Sequence, residues 1–372
     1  MDKIVIASVL KPLKDSRAYY KFGLSLRETN KYKVNIIGFS SKNEPQEGNI
    51  RFHPLFGKGR KSPKRLLAGL KFFWRLIDIR PKLVIITTYE LLPFAALAKK
   101  ILGFSLIYDI QENYVMNLGN NPGLSGWKKS LLAFFIEKTE RLFMPAVDHF
   151  LLAEKSYLKE FILPGPSTVF ENTYLENINK TVKTNLSDNS ELRFLISGTI
   201  TEVYGIKDAL EWFLEILKTF PSAKLHIIGH CTLPDFGEKL RILSDGHHEI
   251  NLEIEHQPIA YPRILESYKK ADIILLPYHQ LPSIQHKIPS KMFEAMALGK
   301  PILYSPNPFW TNLTVENNSG FPMDFKDLKN ASENLMAVLK NDFFISQIPA
   351  SASWKFHEKR FLNLVQSLLG GS

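Results

Sequence analysis

A chain of 372 residues, 45% hydrophobic and 23% charged, has the makeup of a globular protein with length for two ordinary domains. Its one cysteine, Cys231, excludes an intrachain disulfide and a cysteine cluster for zinc, which fits a reducing cytoplasm better than secretion. The formal net charge of +10 favours anionic partners, but no local signature of a nucleic-acid-binding module accompanies it, and no apolar run of about 18 residues or more could span a bilayer.

The first apolar run, Ile4 to Leu10, is short and is followed by basic residues instead of a small-residue cleavage site, so it predicts a strand and not a secretory leader. A helix near Ala18 to Thr29 and a strand over Lys33 to Phe39 follow. Between Lys58 and Arg80, the run KGRKSPKRLLAGLKFFWRLIDIR sets Lys61, Lys64 and Arg65 beside Leu66, Leu67, Leu70, Phe73, Trp74 and Ile77 at helical spacing. Interfacial helices carry such a stripe with cations beside it, which makes this the candidate patch for an anionic membrane or a lipid-held acceptor. A surface helix packing its apolar face on its own sheet has the same periodicity.

Leu83 to Thr87 and Ser105 to Asp109 are predicted strands, Leu91 to Leu102 a helix, and Trp127 to Leu142 a long amphipathic stretch. Short apolar runs joined by periodic segments define parallel β-α-β units in a doubly wound sheet. In such sheets ligands bind beyond the carboxyl ends of the strands. Asp109 and Glu112, directly after one strand, are therefore candidates for a general base or an acceptor-positioning group, Asp109 first. Capping of the next turn by Asp109 is the plainer alternative.

A polar stretch over residues 177–190 reads as a linker, after which the alternation restarts. Strands are predicted at Leu192 to Ile196, Lys224 to Ile228, Leu252 to Ile254 and Ile273 to Leu276, with helices at Ile206 to Thr219 and Tyr261 to Lys269. Gly198, followed by Thr199, would let backbone approach a bound group. Lys207 is either a cation for that group or a solvated helix lysine. Pro289 to Leu303 then sets Ser290, Lys291 and Glu294 at the start of a short helix closed by Gly299 and Pro301. Its N-terminus suits a phosphate, and Glu294 could accept hydrogen bonds from paired sugar hydroxyls. Asn307 to Thr314, after a strand over Ile302 to Tyr304, could also offer backbone N–H groups to phosphates, although Pro306 and Pro308 leave fewer to give.

In order, FLISG with its following helix, SAKLHIIG, LESYKKADIILLPY and PSKMFEAMALGKPI resemble the donor domain of GT-B glycosyltransferases, in particular the E-x7-E family (glycosyltransferase family 4-like, group 1). The resemblance implies an α/β fold of two doubly wound, Rossmann-like domains facing across a cleft. Residues 1–176 would bind the acceptor, 177–190 link, and 191–350 bind the nucleotide-sugar donor. A helix over 351–372 would cross back to the first domain.

By the same resemblance Glu294 grips the donor ribose, Lys291 and Lys207 are candidates to neutralise the pyrophosphate, and His286 stands where the family has its first Glu. Tyr108 to Tyr114 resembles the family's Asp-x-His-Glu element, with Gln111 for the His. The implied activity is transfer of a sugar from a nucleotide sugar to a carbohydrate acceptor, lipid-linked, in cell-surface polysaccharide or glycoconjugate synthesis, in the cytoplasm or on the inner membrane face. The chain has no Asp-x-Asp pair to hold a metal, so metal-independent transfer without a cofactor is expected. A nucleotide-sugar epimerase of the same fold, or a catalytically silent binding protein, are the alternatives.

Overall fold

The structure, a computed structural model, describes residues 1–40, 44–57, 65, 67–119, 124–178, 182–189 and 191–370. Two compact units divide the chain, Met1–Leu175 with Trp354–Ser372, and Glu176–Ser353.

The first unit runs β1 (Asp2–Pro12), α1 (Leu24–Glu28), β2 (Tyr32–Phe39), β3 (Ile50–Phe56), α2 (Ala68–Ile79), β4 (Leu83–Ile86), α3 (Leu92–Leu102), β5 (Ser105–Ile110), α4 (Tyr114–Gly119), α5 (Gly126–Phe143), β6 (His149–Leu152), α6 (Tyr157–Glu160) and β7 (Ser167–Val169). Its strands pair in parallel in the order β3-β2-β1-β4-β5-β6-β7, so the winding reverses between β1 and β4. Ile4, Val5, Ile6 and Ala7 of β1 are all buried, because a central parallel strand is covered on both faces. The helix expected over Ala18 to Thr29 is in two parts, a wide turn over Ala18–Gly23 and then α1. β3 has no strand signature in its sequence, because Ile-Arg-Phe-His-Pro-Leu-Phe lacks a clean period; as an edge strand it tolerates Pro54.

The second unit comprises β8 (Thr184–Asn185), β9 (Arg193–Thr199), α7 (Ile206–Leu217), β10 (Lys224–His230), α8 (Pro234–Ser244), β11 (Ile250–Glu255), α9 (Tyr261–Lys270), β12 (Ile273–Leu276), α10 (Ser290–Ala297), β13 (Ile302–Tyr304), α11 (Pro308–Thr314), β14 (Gly320–Pro322), α12 (Ala331–Leu339) and β15 (Asp342–Phe343). Its parallel order is β11-β10-β9-β12-β13-β14, reversing between β9 and β12. The polar stretch read as a linker is part of this unit: β8 pairs antiparallel with β15, and Leu186 is buried in the same core.

The chain then returns to the first unit as α13 (Trp354–Gly370). Trp354, Phe361 and Val365 are buried with Ile4, Phe22 and Ile107, and the Phe361 ring stacks on Phe22 at 4.6 Å between centroids. The Trp354 indole donates to Ser25 Oγ at 3.0 Å. Among the described residues no helix is long and apolar enough to cross a membrane.

Candidate functional site

In the second unit, the carboxyl ends of β9 and β12 flank the point where the winding reverses, the place where open α/β sheets bind ligands. Gly198 closes β9 at φ +102°, a conformation that disfavours side chains, and a Cβ there would lie 2.7 and 2.8 Å from Cε and Nζ of Lys291. The Lys291 ammonium therefore rests over the end of β9. Gly205 (φ +62°) brings the turn before α7 against the end of β12, where a Cβ would stand 1.8 Å from the Pro277 carbonyl oxygen. This approach stacks Tyr204 on Tyr278, with centroids 4.4 Å apart and 29° between planes.

Lys291 is in the first turn of α10, whose N-terminus has no side-chain cap. Burial disfavours its charge, but the Tyr278 hydroxyl, Glu294 and Tyr204 outweigh burial and raise its pKa above the ordinary lysine value, so it is a cation at neutral pH. Glu294, one helical turn on from Ser290, is half-buried. Its charge reaches Tyr268, a fully buried residue whose hydroxyl is pushed well above its usual value by burial first and Glu294 second. The fold thus gathers Gly198, Thr199, Ser290, Lys291 and Glu294 around one strand end and one helix N-terminus. It supplies positive charge for a phosphate and a carboxylate for hydroxyls.

Two other sequence candidates stand differently. Lys207 points to Glu211 one turn along α7, at 2.6 Å, and is half-exposed, which is the solvated helix pair and not a cation at the strand end. His286 is exposed, its ring edge-on to Phe309 at 5.4 Å between centroids. The loop that carries it is pinned by Asn307 Nδ2, which donates to the Gln285 carbonyl at 3.0 Å, and by the Trp310 indole, which donates to the Lys287 carbonyl at 2.7 Å. Asn307 Oδ1 also accepts from the N–H groups of Phe309 and Trp310 at 2.8 and 3.2 Å, so the start of α11, a candidate phosphate cradle by sequence, is capped from within. Beside this loop, along the ends of β12, β13 and β14, a cavity of ≈ 200 Å³ is lined by Asp208, Tyr278, His279, Ser305, Asp324 and Lys326. The pair of His279 with Asp208 at 2.9 Å, separated by 71 residues, was beyond sequence reasoning.

In the first unit the order of the two carboxylates is reversed. Asp109 is completely buried, and the Arg17 guanidinium holds it through Nε (3.1 and 2.9 Å) and Nη2 (2.7 Å). Gln111 Nε2 donates to its second oxygen at 2.8 Å. Arg17 Nη1 goes on to the Phe170 carbonyl at 2.6 Å, so the pair joins β5 to the loops after β1 and β7. Both oxygens are occupied and out of reach of an acceptor hydroxyl. Glu112, by contrast, is at the surface beside Lys11 at 3.5 Å, at the carboxyl edge of the same sheet.

A second polar group, unread in the sequence, is close by. Tyr108 donates to Glu140 at 3.0 Å, Tyr114 donates to the Thr87 carbonyl at 3.3 Å, and the hydroxyls of Thr87 and Thr88 are buried without a partner among the described residues. Burial, aided by Glu137, lifts the Glu140 carboxyl to about 7 against the opposing Tyr108 bond. Of the membrane candidates, Arg65 pairs with Glu90, Trp74 is exposed on α2, and Lys61 and Lys64 lie outside the described residues. Among the described residues no group of three or more His, Cys, Asp or Glu could hold a metal ion.

A cation, a carboxylate and an open helix N-terminus at the reversal point of a doubly wound sheet form an arrangement of the kind that suits phosphate-bearing ligands. Residues 177–353 match the family described as Glycosyl transferases group 1, a span that coincides with the second unit. No curated protein matches the chain. Among solved structures, sucrose-phosphate synthase from Thermosynechococcus elongatus is similar at TM-score 0.67 and 14% identity, covering 100% of both chains. Anabaena HepE in complex with UDP and glucose follows at 0.65 and 14%, covering 99% of this chain and 100% of its own. The α,α-trehalose-phosphate synthase (UDP-forming) from Burkholderia vietnamiensis follows at 0.63 and 9%, covering 100% of both. At these identities the likeness is one of fold, and the fold is GT-B.

Proposed function

We propose that the protein transfers a sugar from a nucleoside-diphosphate sugar to a carbohydrate acceptor. One observation carries the reading: the Lys291 ammonium rests over Gly198 at the end of β9, on the first turn of the helix that also bears Glu294. The leaving diphosphate gains negative charge in the transition state, so a cation already fixed there lowers the barrier more than it tightens ground-state binding. Glu294 holds the ribose hydroxyls. The UDP bound to HepE, a protein of the same fold, agrees with a nucleotide donor. His286 in the place of an acidic residue is the position we assign to donor-sugar choice.

On the acceptor side we assign Glu112 to the incoming hydroxyl and Asp109 to holding Arg17. With Lys291 supplying the positive charge, the transfer is proposed to run without a metal, and activity should survive chelation. We further propose a lipid-linked acceptor in polysaccharide or glycoconjugate synthesis, which would bring the protein to the inner face of the membrane.

Calorimetry with nucleoside diphosphates tests the donor reading. Glu294→Ala should weaken binding roughly ten- to a hundredfold, as loss of a charged hydrogen-bond partner does. Lys291→Met should lower turnover more than it lowers substrate affinity. Unchanged affinity in the first variant rejects the ribose assignment. Conversion of the nucleotide sugar to an isomer without any acceptor would show an epimerase instead.

A further inference from the structure

The helix α5 is built inside out. Its inward side carries Lys129, Ala133, Ile136, Glu140 and Phe143, of which only Ile136 and Glu140 are buried. The outward side carries Trp127, Leu131, Phe134, Phe135 and Leu142, exposed by 67, 47, 54, 56 and 64%, with Leu132 on its flank. Positions 127, 131, 134, 138 and 142 recur every three or four residues, so they form one ridge. Core packing within this chain does not account for that ridge, because α5 turns its less apolar side, with Ile136 and Glu140, to the rest of the unit. α3 packs against both α5 and α2, and it too exposes Leu97 and Ile101, while α2 exposes Leu70 and Trp74. Single exposed apolar residues need no explanation, but a ridge of them does.

Cations are threaded through this surface. Lys128 Nζ is 5.5 Å from the centre of the Trp127 ring, Lys138 Nζ is 5.5 Å from that of Phe134, and Arg141 is exposed on the same side. Against them the exposed side of α5 presents one acid, Glu137. Lys71, Arg75 and Lys100 are exposed on the two neighbouring helices. A second copy of the chain laid across α5 by a twofold axis would bring these cations against their own images, so self-association lacks charge complementarity. An anionic bilayer matches both features: aromatic and aliphatic side chains enter the headgroup boundary while lysine and arginine heads stay at the phosphates.

We propose that α5, with the outer faces of α2 and α3, docks the protein on an anionic phospholipid surface. The proposal goes beyond glycosyl transfer and does not require it, since vesicle binding is read without donor or acceptor. Of the five Trp residues, Trp212, Trp310 and Trp354 are fully buried, leaving Trp74 and Trp127 exposed. In a Trp74→Phe background, Trp127 fluorescence should therefore be quenched by brominated lipid in vesicles mixed from phosphatidylglycerol and phosphatidylcholine. Co-sedimentation with the same vesicles should weaken roughly a hundredfold when Lys128, Lys138 and Arg141 are changed together to Ser, at about tenfold per 1.4 kcal/mol. Phe134→Ser with Phe135→Ser should also release the protein while leaving its melting temperature unchanged. An unquenched Trp127 or undiminished binding in both variants overturns the proposal. So does a dimer in sedimentation that Phe134→Ser dissolves, because the ridge would then be covered by a second copy.

Discussion

Changing Asp109 to Asn would keep the volume of the side chain and remove the charge that answers Arg17, a guanidinium only 2% exposed. Removing one partner of a buried ion pair costs about 3–5 kcal/mol, because the remaining charge stays desolvated and unanswered. For a unit of this size each kcal/mol lowers the melting temperature by about 2–4 °C, so Asp109→Asn should melt roughly 6–20 °C below wild type. The loss should also loosen the loops after β1 and β7, where Arg17 Nη1 donates to Phe170 and Asn172. Scanning calorimetry with the wild type, Asp109→Asn, and the double replacement Arg17→Met with Asp109→Leu measures this. The double variant should recover most of the stability, since an apolar pair of similar volume removes both buried charges. A single variant that melts within about 2 °C of wild type but has lost two orders of magnitude in turnover would refute the reasoning and return Asp109 to the chemistry.

Glu112→Gln should reduce turnover by about a hundredfold with nucleoside-diphosphate affinity unchanged; equal losses in both would remove it from the acceptor side. Glu140 sets a pH dependence of stability. Its carboxyl is lifted by burial from 4.5 to about 7, so between those values the folded protein keeps a proton that the unfolded chain has released. Stability carries no penalty from this group below about pH 4.5, falls as pH rises through the interval, and is lower above about pH 7 by on the order of 3 kcal/mol. Glu140→Gln, which cannot ionise and still offers Tyr108 an acceptor, should flatten that slope in denaturant titrations and be the more stable form at about pH 8. An unchanged slope would refute the burial argument.

What could be read from the sequence was local. Apolar runs marked β1, β4, β9 and β12, and the spacing of Ser290, Lys291 and Glu294 puts all three on the opening turns of one short helix. The Lys207–Glu211 pair was equally legible, being four residues apart in one helix. Arg17 was not, since nothing near it names a carboxylate 92 residues away. Asn307 preceding Pro308 is the signature of a capped helix start, and a cap consumes the same N–H groups that a phosphate would need. The amphipathic period of residues 127–142 was visible, yet periodicity gives two faces without saying which one meets the sheet. In α2 the core takes Ala68, Phe72, Leu76 and Ile79, leaving much of the stripe read from sequence, Leu67, Leu70 and Trp74, outside.

The return of α13 to the first unit fixes an order of events during synthesis. Trp354, Phe361 and Val365 close the face of the first sheet that holds Ile4, Ile6, Leu83 and Ile107, but they are made only after all of Glu176–Ser353. At about 5–20 residues per second the ribosome needs roughly 10–35 s to make that intervening unit. During this interval the first sheet waits with one apolar face uncovered, while the second unit has its whole sequence in one piece and can finish first. A stalled or shortened chain that stops before Trp354 would leave a folded second unit attached to an open, sticky sheet, the kind of species that chaperones hold and proteases remove.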